Sequence, residues 1–191
     1  MPEHDAIAAG TFSQTPSQTV GPFFGYALPY ERGGEVAPPW HPEAIRLHGT
    51  VYDGAGEPVP DAILEVWGLD AGGAPIADRG SLHRDGHTVT GFGRTQVDRA
   101  GHYSFTTVKP GAPVDGRAPY FLVTVFARGL LHHLFTRAYF SDDDPFFATV
   151  PEERRETLLV VPDGDRSYRF DIRLQGPDET VFLDFVGDGR G

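Results

Sequence analysis

The chain has 191 residues, enough for one ordinary domain plus an arm and too few for two comfortable domains. A net charge of -11, with Lys109 the only lysine and the arginines scattered, excludes a nucleic-acid surface, and no apolar run approaches the roughly 20 residues of a membrane span. The lack of cysteine excludes disulfides, thiolate zinc sites, iron–sulfur clusters and cysteine nucleophiles; with no signal peptide visible at the start, a cytoplasmic protein fits the composition.

Residues 1–45 are rich in Pro, Gly, Ser and Thr and keep no period, which reads as an extended N-terminal arm. Its apolar residues (Val20, Phe23, Phe24, Tyr26, Leu28, Tyr30, Trp40) are too many for a solvated tail, so the arm is expected to pack on a partner or on the core. Residues 46–191 read as one β-sandwich. Arg46 to Tyr52 alternates, with Leu47, Gly49 and Val51 on one face. Asp53 to Pro58 is a turn, Ala62 to Leu69 a short apolar run with the length of a buried strand, and Asp70 to Gly73 a second turn. Further strands are expected at Arg94–Val97, His102–Val108, Phe121–Phe126, Leu134–Phe140, Leu158–Val161, Ser167–Leu174 and Val181–Phe185. Only Pro145 to Glu156 suits a helical turn or two. Such spacing predicts an all-β fold, two mostly antiparallel sheets with the arm in front.

Self-contained catalytic motifs are missing. No two of the eight histidines stand at i, i+2, the spacing that puts two imidazoles on one face of a strand. His132 and His133 are adjacent, so one is expected at the core or an interface and the other in solvent; His83 and His87 are separated by Gly86, which disfavours a helix. There is no Gly-x-Ser-x-Gly elbow, dinucleotide loop or P-loop, and Asp142-Asp143-Asp144 and Glu152-Glu153 read as solvated surface. Arg94 and Arg137 read as buried ion-pair partners.

A set of short segments carries more information. In order these are Thr15-Pro16-Ser17-Gln18-Thr19-Val20-Gly21-Pro22-Phe23-Phe24, Gly49-Thr50-Val51-Tyr52-Asp53-Gly54, Leu64-Glu65-Val66-Trp67, Phe92-Gly93-Arg94-Thr95 and Thr107-Val108-Lys109-Pro110-Gly111. Phe126-Ala127-Arg128-Gly129, Thr136-Arg137-Ala138-Tyr139-Phe140, Arg154-Arg155-Glu156-Thr157-Leu158, Tyr168-Arg169-Phe170-Asp171-Ile172 and Gln175-Gly176 follow. Together, over residues 15 to 185, the chain resembles the intradiol ring-cleavage dioxygenases.

In that family a catalytic chain holds a non-haem ferric ion with two tyrosines and two histidines, hard donors that suit Fe(III). The histidine pair falls here at Tyr120 and Leu122, and the loop Ala112 to Gly116 lacks the tyrosine expected there. The resemblance therefore implies a non-catalytic chain with neither catalytic nor metal-ligating residues of its own. It would pair with a beta chain that binds the Fe(III) and cleaves a small aromatic acid bearing two adjacent hydroxyls. It also implies that Thr19, Gly21, Pro22 and Arg128 line the substrate pocket. Arg128 lies eight residues beyond Tyr120, about 26 Å along an extended strand, so it would serve the partner's site rather than this chain's own vanished one. A guanidinium there suits a carboxylate, and a structural salt bridge is the competing role. The alternative for the whole chain is a non-enzymatic β-sandwich binding or structural module.

Overall fold

The computed structural model describes residues 19, 21, 24–76, 82–113 and 115–184. Its first sheet is built on β1 (Ala44–Tyr52), where the alternation read from the sequence turns Leu47 and Val51 fully into the core. The next elements are β2 (Ile63–Trp67), β3 (Phe92–Gln96), β4 (His102–Val108), β5 (Tyr120–Phe126) and β6 (Leu134–Tyr139). The short β7 (Val161–Pro162), β8 (Ser167–Arg169) and β9 (Ile172–Arg173) complete the set. One sheet runs β4-β1-β8-β7 with β9 also on β1, and the other runs β3-β2-β5-β6. Only the pairings of β1 with β8 and β9 are parallel; the rest are antiparallel, as expected of this sandwich.

The core lies between the sheets, where Leu47, Val51, Tyr103 and Phe105 of the first face Leu64, Val66, Phe121, Val123 and Val125 of the second. Both expected turns form. The Asp53 carboxylate accepts from the backbone N–H groups of Ala55 and Glu57, and Asp70 does the same for Gly72 and Ala74, at 2.8–2.9 Å. Part of the arm closes one side of the sandwich on its own chain. Gly33 O accepts from Arg94 N on β3, and Gly34 O from Thr106 N on β4, so this segment ties the edges of the two sheets.

Three expected strands differ. Leu158–Val161 is mostly not strand, because Glu152–Leu158 winds into a 3-10 helix and the chain extends only briefly afterwards. Ser167–Leu174 is broken at Phe170 and Asp171. Phe170 turns into the core, and the Asp171 carboxylate accepts from Thr50 N at 2.9 Å. Of Val181–Phe185, Leu183 makes a single bridge to Phe135, and Phe185 lies outside the described residues. Helical turns are found in the one stretch that suited them, as 3-10 helices at Pro145–Thr149 and Glu152–Leu158. Asp144 is not a solvated surface carboxylate. It is buried and caps the first of these helices, accepting from Phe146 N at 2.8 Å and from Ala118 N at 3.1 Å.

His48 on β1 is also buried. Its Nδ1 lies 3.3 Å from His102 Nε2, and its Nε2 lies 3.1 Å from Asp163 Oδ2 but off the hydrogen-bonding direction. Burial, then the neighbouring Arg46, pushes its pKa below 6.5, with Asp163 opposing. The unfolded histidine therefore takes up a proton at a higher pH than the folded one. Stability is full above about pH 6.5 and declines as pH falls from there through the folded value. The urea midpoint is expected to drop between about pH 7.5 and 5.5 and to drop less in His48→Gln. Equal slopes in the two chains would remove His48 as the cause.

Candidate functional site

The family's two histidine positions lie on the outer face of the second sheet. Along β5, Phe121, Val123 and Val125 point into the core, so Tyr120 and Leu122 point out. Antiparallel pairing with β6 places Tyr139 opposite Tyr120 and Arg137 opposite Leu122, and pairing with β2 places Trp67 on the other side of Leu122. Directly paired residues share a face, so these five side chains gather on one surface. The two 3-10 helices and the stretch around Val181 cover it, forming a second apolar cluster of Ala118, Tyr139, Phe147, Val150 and Leu158. The Asp144 cap, bonded to both Ala118 and Phe146, fixes this cover to the start of β5.

A cation occupies the centre of that surface. The Arg137 guanidinium carbon sits 4.7 Å from the Tyr120 ring centroid and 5.3 Å from that of Phe146. Its Nη1 donates to the Tyr139 hydroxyl at 2.9 Å. The Tyr139 ring lies 5.2 Å from Tyr120 and 5.0 Å from Phe147. Burial pushes the Tyr139 phenol above its ordinary pKa of 10, and the bond from Arg137 opposes this only in part. Among the described residues Arg137 is thus not the ion-pair partner its sequence context suggested. Among the described residues it has no carboxylate partner, and its Nε is buried with no hydrogen-bond acceptor. Arg94 does pair as expected, its Nε donating to Glu65 Oε1 at 2.7 Å between β3 and β2.

These residues do not fit a ferric ion. Iron(III) needs deprotonated oxygen or imidazole donors. This surface instead offers a leucine, a tyrosine stacked on a guanidinium, a phenol held neutral by burial, and a fixed positive charge that repels a second cation. Among the described residues no group of three or more His, Cys, Asp or Glu side chains could hold a metal ion. His132 and His133 are both exposed, so neither reaches the core; His133 packs on Phe126 and Phe135 at the far end of β5.

Arg128 also lies at that far end, beyond Phe126, while Tyr120 begins the strand. Its Nε pairs with Asp61, and its side chain is 63% exposed against 14% for Asp61. It lines a cavity of about 330 Å³ with Asp53, Pro58, Val59, Leu130 and Gln175 among others. The two roles weighed for Arg128 are thus compatible, since a buried carboxylate anchors one edge of the guanidinium and the remainder stays open. Thr19 and Gly21 are exposed and do not line this cavity; Pro22 lies outside the described residues. The Arg137–Tyr120–Tyr139 cluster went unread in the sequence. The only signal for it was the Arg137-x-Tyr139 spacing, and that acquires meaning only with the strand register.

Residues 37–119 match the Dioxygenase family model. The structure resembles the dioxygenase domain of a dioxygenase–carbohydrate-binding fusion from Streptomyces sp. SirexAA-E, with a TM-score of 0.56 over 85% of this chain and 99% of that one at 21% identity. Fold and surface thus define a dioxygenase sandwich whose second sheet holds an arginine among aromatic rings on its outer face. The chain is 43% identical to the protocatechuate 3,4-dioxygenase alpha chain of Burkholderia cepacia, over 91% of its own length and 98% of that protein's. Similarity to the beta chain from the same organism is lower, 32% over 72% of this chain and 67% of that one. This chain belongs to the family of protocatechuate 3,4-dioxygenase alpha chains. No helix among the described residues is long and apolar enough to cross a membrane.

Proposed function

We propose that the chain is the non-iron-binding alpha subunit of a cytoplasmic, hetero-oligomeric protocatechuate 3,4-dioxygenase. The Fe(III) is carried by the beta chain, and the enzyme opens 3,4-dihydroxybenzoate with O2 to 3-carboxy-cis,cis-muconate. The observation that carries this reading is the guanidinium seated between Tyr120, Phe146 and Tyr139, on the face where a catalytic chain presents histidines. Near-full-length similarity to an alpha chain supports it. The alpha chain's part is to wall the substrate site at the alpha/beta interface. Arg128 supplies positive charge toward the substrate carboxylate, and Thr19, Gly21 and Pro22 of the arm form part of the pocket wall. Residues 1–45 serve as an arm that gains further order on the partner, in keeping with Tyr26 at 86% and Trp40 at 63% exposure in the lone chain.

Iron content and ring-cleavage activity of the chain, purified alone and co-expressed with a beta-type partner, test this directly. Iron and activity are expected only in the co-purified complex. Stoichiometric ferric iron in the lone chain would overturn the reading.

A further inference from the structure

Arg137 opens onto a cavity of about 330 Å³ between the end of β6 and the cover over it. Its walls are Phe146, Val150, Pro151, Phe182 and Leu183, with Thr149 and Asp184 also on the lining. The Thr149 hydroxyl already donates to Phe146 O at 2.7 Å. One side chain here brings positive charge, and it is held in place: Nη1 is committed to Tyr139, and the guanidinium plane is fixed over two rings. Nη2 has no hydrogen-bond acceptor among the described residues and stays accessible, whereas Nε is shielded from solvent. A cationic donor on the lining of an apolar-walled cavity suits a carboxylate oxygen, which forms a charge-assisted hydrogen bond with it.

We propose that this cavity binds a small planar monocarboxylate, with Arg137 as its anchor. The apolar walls accept a ring or short hydrocarbon body, and the volume lies at the small end of the roughly 300–1,000 Å³ found for ligand pockets. The surface sets a fixed cation beside an apolar hollow, which is an anion site in its own right. The proposal does not depend on the partner chain.

The test is calorimetric titration of benzoate, and of neutral benzamide of the same shape, into the full-length chain. Two variants accompany it: Arg137→Gln, and Leu183→Trp to fill the hollow without touching the arginine. Benzoate is expected to bind the unmodified chain at least about ten-fold more tightly than benzamide. It should weaken at least about ten-fold in Arg137→Gln and in Leu183→Trp. Equal binding of benzoate and benzamide would overturn the proposal, as would retained binding in Leu183→Trp or no benzoate binding at all. If Arg137→Gln fails to fold, the benzamide comparison and Leu183→Trp decide the matter.

Discussion

Arg128→Ala in the assembled enzyme is expected to raise KM for the carboxylated catechol by about ten-fold while KM for catechol itself stays within about two-fold. A hydrogen bond to a charged group contributes about 1.5–3 kcal/mol, and each 1.4 kcal/mol is a factor of ten, so the low end of that range gives this figure. The low end is the appropriate choice because the guanidinium already bonds Asp61 and is 63% exposed, so solvent screens it. A structural contribution is expected as well. Removing Arg128 leaves neither Asp61 carboxylate oxygen with a partner, since Oδ1 already lacks one. That loss reduces stability or assembly alike for both substrates, so only the difference between the two KM values reports a carboxylate contact. Equal increases for both would assign Arg128 a purely structural role.

The largest effect on stability is expected from Gly49→Ala. Gly49 sits mid-way along β1, where the chain at Phe170 crosses between β8 and β9; Phe170 N donates to His48 O at 2.7 Å. A Cβ added at Gly49 would stand 2.0 Å from Phe170 O and 2.6 Å from its carbonyl carbon. Both are backbone atoms, so no rotamer change relieves the overlap. The carbonyl is also held from its other side by the Tyr103 hydroxyl, which donates to it from the core. β1 cannot shift away without breaking its register with β4, from Ala44↔Val108 to Thr50↔His102. Overpacking of this kind costs about 3 kcal/mol or more, which for a chain of this size lowers Tm by roughly 6–12 °C. Thermal denaturation followed by circular dichroism checks this. A Tm within about 2 °C of the unmodified chain would mean that Phe170 does not cross at Gly49.

Both cases show which kind of information was legible in the chain and which was not. Gly49 was read as one more residue on the inward face of an alternating strand. Its reason for being glycine lies 121 residues away, in a backbone crossing that no local pattern announces. Alternation sets His48 on the face of β1 opposite Leu47 and Val51, yet it is buried, because His102 and Asp163 close over it from elements far off in sequence. Asp144, in a run of three acidic residues, carried the local signature of a solvated turn. It became a buried cap once Ala118 and Phe146 came within reach of its two oxygens.

The sequence by itself determined the class of fold, the turns at Asp53 and Asp70, and the replacement of a histidine pair by Tyr120 and Leu122. These follow from local rules: side chains alternate along a strand, aspartate and glycine favour tight turns, and leucine has no donor atom. Only the tertiary structure decided what gathers around Tyr120 on the outer face of the second sheet. Tyr120, Arg137, Tyr139 and Phe146 meet because antiparallel register sets Tyr139 against Tyr120 and Arg137 against Leu122, and because a capped 3-10 helix folds down over both strands. Register and cover are settled by long-range packing free energy rather than by neighbours in sequence, so an arginine that read as an ion-pair partner became a cation held between aromatic rings.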